Sequence, residues 1–183
     1  MDIFLYAMII FILICIILIW FISTYNRFQS MLIRINEAES NIDTILRKRF
    51  DLLNKSIGII KASTVEMHEA KVLEGIVKLR SAKLSNFDLD RKLYDSINEF
   101  HLFKENIVEL RNSETFMKID ASFTESEIEI TALRKYYNDI ITDYNKYTKI
   151  FPSIIIAKIN KYKIKPYYDG KDMYDENIED FKL

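Results

Sequence analysis

The sequence predicts an all-α protein: an N-terminal single transmembrane helix followed by an antiparallel four-helix bundle with long helices. Three observations carry that expectation. Residues Ile3 to Ile22 form an uninterrupted apolar run, no proline occurs before Pro152, and only three glycines occur in 183 residues. Along most of the remaining chain, apolar residues recur at steps of three and four, the period of a helix face. So few turn formers are hard to reconcile with a turn-rich all-β fold. Basic and acidic residues number 26 and 27. That balance leaves no surplus of positive charge to grip a phosphate backbone, so no nucleic-acid partner is expected. The single cysteine, Cys15, excludes an intrachain disulfide and a cysteine-based zinc cluster.

The first element is IFLYAMIIFILICIILIWFI, residues 3–22, with no charged side chain. At ~1.5 Å per residue these twenty residues span about 30 Å, the thickness of a bilayer's hydrocarbon core. Trp20 stands near one end, where an amphipathic ring suits the headgroup level. A cleaved signal peptide would have a basic start, a shorter apolar core and small residues at the cut site. Here Asp2 precedes a long core and no such site follows, so an uncleaved anchor is expected. Its partner is the lipid bilayer, through residues 3–22. Arg27 and Arg34 lie beyond one end and Asp2 at the other, so the positive-inside rule places the N-terminus outside and the bulk of the chain in the cytoplasm, as a single-pass protein of the cell membrane.

Residues 23–152 are expected to form the bundle. The first of its helices starts near Ser23 or Thr24, with an apolar series Phe28, Leu32, Ile35, Ile42, Leu46 and Leu53, widened by Met31, Ala38 and Ile45. A second is expected from after Asn54 to about Ala82, carrying Ile57, Ile60, Val65, Val72, Ile76 and Leu79. KLSNFD, from Lys83 to Asp88, is turn-like, with Asn86 and Asp88 as candidate caps. The third helix then carries Leu89, Leu93, Ile97, Phe100, Phe103, Ile107 and Leu110. The fourth has the most regular pattern, running Phe116, Ile119, Phe123, Ser126, Ile130, Leu133, Tyr137, Ile140, Tyr144, Tyr147, Phe151, in which only Ser126 is not apolar or aromatic. A seam of that period packs against neighbouring helices at a shallow angle. Ser113 is its candidate cap and Pro152 its end; 38 residues from Ser113 to Ile150 would reach about 57 Å. Stripes of this kind are not stable alone in water, so the four helices must bury their faces together. The tail, 153–183, opens with SIIIAKINKYKIK, which suits a short helix or a strand-like edge, and ends in an acidic polar stretch expected to be mobile.

Within the first bundle helix, NIDTILRKRFDLLN places Arg47, Lys48 and Arg49 in succession. On a helix they point about 100° apart and cannot converge on one ligand. Arg47 has Asp43 and Asp51 four residues away on either side, which favours ion pairs along one face. Arg49 instead continues the series Phe28, Ile35, Ile42. It is expected to be partly buried and to pair with a carboxylate of the fourth helix, Glu125 or Glu127. Such a pair adds little net stability but penalises misregistered packing.

No catalytic, cofactor-binding or metal-ligating residue is assigned. His68-Glu69 invites a metal reading, but a bundle di-iron site needs Glu-x-x-His, and Val65 and Asn98 occupy the required positions before His68 and His101. HExxH fails at Val72. Gly58, Gly75 and Gly170 are isolated, so no phosphate loop exists, and no serine or cysteine has the setting of an activated nucleophile. The aromatic series Tyr136, Tyr137, Tyr144, Tyr147 and Phe151 could face a partner. Four of the five lie on the fourth helix's seam, so core is the expectation.

Several blocks, in order, resemble the LemA family. They are Tyr25-Asn26, IDTILRKRFDLL from Ile42 to Leu53, His68-Glu69, Arg80, ENIVELRNSETF from Glu105 to Phe116, LRKYYND from Leu133 to Asp139, YNKY from Tyr144 to Tyr147, and Phe151-Pro152. The chain departs from the family pattern at Asn54, where proline is usual, and at Ile107-Val108, where Tyr-Pro is usual. The resemblance implies a helical bundle at a membrane and brings no biochemical activity with it. Three functions compete on these grounds. The first is a membrane-tethered, non-catalytic interaction or scaffold protein that could be a homo-oligomer, with protein partners unknown. The second is an envelope-stress or signalling component coupled through the membrane helix, and the third a membrane-bound enzyme with an unrecognised carboxylate or histidine site.

Overall fold

A computed structural model of the chain describes residues 2–62, 85–105 and 107–168. Among these residues every regular element is helical: α1 (Asp2–Ala62), α2 (Asn86–Glu105), α3 (Val108–Arg111), α4 (Glu114–Lys149) and α5 (Ser153–Ile159). They fall into two compact units, within Met1–Glu37 with Tyr137–Pro166, and within Ala38–Tyr136 with Tyr167–Leu183.

Two expected boundaries move. α1 does not stop at Asn54 but runs 61 residues, from the apolar segment through to Ala62. With asparagine in place of proline, position 54 keeps its backbone N–H and no ring clashes with the preceding turn, so nothing there breaks the helix. Ile57 and Ile60, assigned to a second helix, are buried residues of α1. The rest of that expected helix, with Val65, Val72, Ile76, Leu79 and His68, lies outside the described residues. The third helix ends at Glu105, not at Leu110, and a single turn, α3, follows. The N–H of Ile107 bonds the Lys104 carbonyl at 3.2 Å, tightening the last turn into an i→i+3 exit even without the family's proline.

Cap chemistry explains the starts. α2 is capped by Ser85 rather than by Asn86 or Asp88. The Asp88 N–H donates to Ser85 Oγ (3.2 Å), while that hydroxyl donates to the Asp88 carboxylate (2.6 Å). This is a variant of the capping box, which also sets a negative charge in the helix's first turn. Ser113 immediately precedes α4, and its carbonyl accepts from the Met117 N–H at 3.0 Å. α4 runs 36 residues, about 54 Å.

The expected α4 seam is buried from Phe116 to Tyr144, with Leu133 and Tyr147 half-buried and Ile141 added to the core. Phe151 is a correction: it lies past the end of α4 and is 80% exposed. Ser126 is fully buried, and its hydroxyl donates to the Phe123 carbonyl at 2.7 Å, so a small polar residue sits in the seam without an unmet donor. Along α1 the buried positions run Thr24, Phe28, Ile35, Ala38, Ile42, Leu46, Arg49, Leu53, Ser56, Ile57 and Ile60. Two consecutive steps of four, Ala38 to Ile42 to Leu46, insert a stutter that locally unwinds a heptad seam.

In the first unit Phe28 is the centre of an aromatic cluster. Its ring lies 4.8 Å from Tyr147 and 4.7 Å from Tyr162, with Tyr144 edge-on at 6.1 Å. Arg27 stacks over Tyr147 at 4.7 Å, and Gln29 Nε2 donates to Tyr162 Oη at 2.7 Å. Burial, then the nearby Tyr25, raise the Tyr162 hydroxyl above its ordinary pKa against the opposing Gln29 bond; burial, then Tyr162, raise that of Tyr144.

The beginning of the expected tail is built into the fold. α5 takes the short-helix option, burying Ser153, Ile156 and Ala157. It closes in a Schellman motif, in which the Lys161 N–H bonds Lys158 O (3.3 Å) and the Tyr162 N–H bonds Ala157 O (2.9 Å). Lys161 holds the left-handed position of that motif, at φ 56°. Asn145 of α4 then clasps the chain, donating to the Lys165 carbonyl at 2.7 Å and accepting from the Lys165 N–H at 2.8 Å. The acidic end, 169–183, lies outside the described residues.

Candidate functional site

In the second unit, charged side chains occupy positions that the apolar seam would otherwise fill. On α2 the buried positions Asp90, Leu93, Ile97, Phe100 and Lys104 are spaced three, four, three, four. An acid and a base thus stand at the two ends of one apolar stripe. On α1, Arg49 continues the series Phe28, Ile35, Ile42 in steps of seven, and is 2% exposed.

The three consecutive cations part company as the helix dictates. Arg47 donates to Asp43 of its own helix at 2.8 Å, largely in solvent. Lys48 reaches Glu129 of α4 at 3.1 Å, with both side chains near 40% exposed, where an ion pair contributes little. Arg49 goes inward, and its Nη1 pairs with Oε2 of Glu127. Of the two carboxylates expected for it, Glu127 is the partner. Arg49 Nε has no hydrogen-bond partner among the described residues.

Glu127 links Arg49 to a second cation. Its Oε1 lies 3.6 Å from Arg134 Nη1, one heptad further along α4. Arg134 forks onto Asp90, Nε to Oδ2 at 2.8 Å and Nη2 to Oδ1 at 2.7 Å. This is the bidentate geometry that suits a guanidinium to a carboxylate. Asp90 is 1% exposed, and its Oδ2 also accepts from Tyr168 Oη at 2.9 Å. Tyr168 is buried, stacked 4.3 Å from Phe87, with Arg134 6.0 Å from its ring centre. Burial, then the charge of Asp90, then its bond to Asp90 push the Tyr168 hydroxyl far above its ordinary pKa. Burial by itself would lower the pKa of Arg134, but its bond to Asp90 and the charges of Asp90 and Glu127 raise it. Arg49, Glu127, Arg134 and Asp90 alternate in charge and, with the neutral Tyr168 at the end of the chain, tie α1, α2, α4 and the segment after α5 together.

A second cluster lies at the other end of α2. Lys104 pairs with Asp120 of α4 and, at 3.3 Å, with Glu105. Burial would pull the Lys104 pKa down, but the Asp120 bond and charge outweigh it, and the net shift is upward. His101, the one described histidine, places Nδ1 3.3 Å from Asp120 Oδ1 and sits edge-on to Phe100 and Phe123.

Chemically, both clusters hold their groups in fixed ionic partnerships. Asp90 meets a guanidinium through both oxygens and a phenol through one, so its oxygens are already engaged and it is poorly placed to take a proton from a substrate. Asp90, Lys104, Asp120, Arg134 and Tyr168 were not singled out from sequence. For Asp90 and Lys104 the signal was available, since both fall on the three-four register through Leu93, Ile97 and Phe100. Starting the stripe at Leu89, which is half-buried, hid it. Tyr168 had no local signal. Of the aromatic series, Tyr137 and Tyr144 are core, Tyr147 is half-buried, and Tyr136 and Phe151 are exposed.

None of the curated proteins matches the chain. The LemA family profile matches residues 38–179, beginning after Tyr25-Asn26 and running past Phe151-Pro152 into the C-terminal segment. It takes in Arg49, Asp90, Glu127, Arg134 and Tyr168, the whole of the charge chain. With most of its length covered by that match, the chain belongs to the LemA family.

Proposed function

We propose that this is a membrane-anchored, non-catalytic interaction or scaffold protein of the LemA type, inserted through residues 3–22 with its N-terminus outside and its helical bundle in the cytoplasm. The observation that carries the proposal is the surface of α1's first twenty residues. Elsewhere α1 buries one stripe, but here side chains on every face are open, among them Phe4, Phe11, Ile16, Ile17 and Ile19. An apolar helix exposed all round needs a hydrocarbon solvent, and this one is long enough to cross a bilayer. Residues 23–152 are proposed to form the antiparallel four-helix bundle. α1 meets α4 through Phe28 with Tyr144 and Tyr147, and through Lys48 and Arg49 with Glu129 and Glu127. The buried charges are spent on each other, which suits a part in holding helices in register rather than in chemistry.

Protease added to intact spheroplasts should leave the C-terminus untouched and digest it after lysis; digestion in intact spheroplasts would reverse the orientation. Crosslinking in membranes followed by detergent purification should return a protein partner or a self-association product. A chain recovered alone and monomeric would count against the scaffold role.

A signalling role coupled through the membrane helix has one feature in its favour: α1 continues from Asp2 to Ala62 without a break. Inserting two residues after Ser23 would rotate everything beyond by about 200°. An output carried along the helix should then change, and an unaltered output would dismiss this reading.

A further inference from the structure

Residues 144–168 contain six lysines and no aspartate or glutamate. The same stretch turns large apolar side chains outward. Phe151 is 80% exposed, Ile159 60%, and Ile155 and Ile164 are open as well. On α5, Ile155 and Ile159 share an outward face one turn apart, and the buried Ser153, Ile156 and Ala157 occupy the opposite side. The exposed Phe151 lies in the turn just before the helix and Ile164 in the segment after it. Outward apolar side chains beside a cluster of lysines are the composition of a segment that lies in a membrane interface.

Its position within the first unit fits. Tyr147 and Tyr162, which bracket the segment, both pack on Phe28. Phe28 follows Ile22, the last residue of the apolar run, by six residues, about 9 Å along a helix. The headgroup layer is itself about 6 Å deep on each side of the hydrocarbon core, so Phe28 stands about 3 Å past its outer edge, within a side chain's reach of it. The Asn145 clasp holds the lysine-rich segment beside α4 at this level.

We infer that the segment from Phe151 to Lys165 docks on the bilayer surface where the membrane helix emerges. Phe151, Ile155 and Ile159 enter the headgroup region, and Lys158, Lys161, Lys163 and Lys165 engage the phosphates of anionic lipids. This rests on the membrane-anchored reading above. A second copy of the chain is the weaker occupant, because a two-fold contact through this face would set its lysines against those of the other copy. An anionic surface instead attracts each lysine by ~1 kcal/mol, and lysine stems can lie on apolar surface while their ends stay wet. Docking also adds to the positive charge on the side of the span already marked by Arg27 and Arg34.

The test uses the full chain reconstituted in vesicles of phosphatidylcholine with phosphatidylglycerol. Single nitroxide labels are placed at Phe151→Cys or Ile155→Cys in a Cys15→Ser background. Collision with a water-soluble nickel complex should fall several-fold below that of a label at Ile33→Cys, an exposed position on α1. It should rise again in pure phosphatidylcholine and when the four lysines are changed to Gln. A label at Ile12→Cys reports the span separately. If Ile12 is shielded from nickel while Phe151 and Ile155 collide as freely as Ile33, docking is overturned and the anchor stands. If Ile12 is itself open to nickel, both fall. Spin–spin broadening at Ile155 that disappears on dilution with unlabelled protein would put a second copy on this face and overturn lipid docking. Shielding that ignores both lipid charge and the lysine changes would overturn the phosphate contact.

Discussion

Removing Glu127 should be far more damaging than removing Arg49, although the two form one ion pair. Arg49 is 2% exposed, whereas the Glu127 side chain is 38% exposed and has Arg134 as a second cation 3.6 Å away. Glu127→Ala strands a buried guanidinium, with Arg134 close by and no carboxylate between them. Breaking a buried pair from that side costs about 3–5 kcal/mol. In a chain of 183 residues each kcal/mol lowers Tm by about 2–4 °C, so a fall of about 6–20 °C is expected. Arg49→Met removes the buried charge and leaves an unbranched apolar stem in its place. Glu127 then keeps Arg134 and its access to water. The cost should stay within about 1 kcal/mol of wild type, or the variant should gain, because the desolvation penalty disappears along with the attraction. The double variant, Arg49→Met with Glu127→Ala, should recover most of what Glu127→Ala alone loses. Thermal melts followed by circular dichroism at 222 nm, on protein in the same detergent, would measure all three. Equal losses for Arg49→Met and Glu127→Ala would refute the reasoning, since burial of the cation would then not be the controlling quantity.

Other outcomes follow from the same structure. Phe28→Ala empties the centre of the Tyr144, Tyr147 and Tyr162 cluster and should cost about 3–5 kcal/mol, with loss of near-ultraviolet dichroism from the tyrosines; a loss below about 1 kcal/mol would show that the cluster collapses without cost. Tyr168→Phe deletes a buried hydrogen bond to a carboxylate and should cost about 1.5 kcal/mol at neutral pH. The folded-state pKa of Tyr168 is raised above its ordinary 10.0, so unfolding releases its proton above that pH, and its contribution is present below pH 10.0 and lost above it. The stability gap between wild type and Tyr168→Phe should therefore narrow in melts above pH 10.0; a constant gap would deny the shift. Lys161→Gly relieves a left-handed residue at the end of α5 and should add about 1 kcal/mol, measured by denaturant titration; no gain would show that the left-handed lysine carries no strain.

Legibility from sequence tracked how local the cause was. The α4 seam from Phe116 to Tyr144 could be read in advance because one period of three and four persists through it. Its failure at Phe151 comes from the helix stopping at Lys149, after which the period has no meaning. Arg49 was readable as an inward cation because it falls seven residues after Ile42, which falls seven after Ile35. Asp90 and Lys104 obey the same register but were passed over, since a charge in an apolar stripe is interpretable only when its countercharge is known. Those countercharges, Arg134 and Asp120, lie 44 and 16 residues further on. The break expected after Asn54 does not occur: asparagine stands where the family carries a proline, and α1 runs on to Ala62.

By itself the sequence determined what one helix can express: helical elements, one apolar segment of membrane length, most of the seam positions, and the divergence of Arg47, Lys48 and Arg49, with Arg49 turned inward. Those follow from backbone period and side-chain polarity, which every short window contains. Only the tertiary structure decided that Glu127 rather than Glu125 meets Arg49, that Arg134 bridges two carboxylates, and that Tyr168 returns to Asp90 from 78 residues away. Such choices depend on the rotation and axial offset between helices, set by how whole faces interdigitate, and no local pattern carries that information.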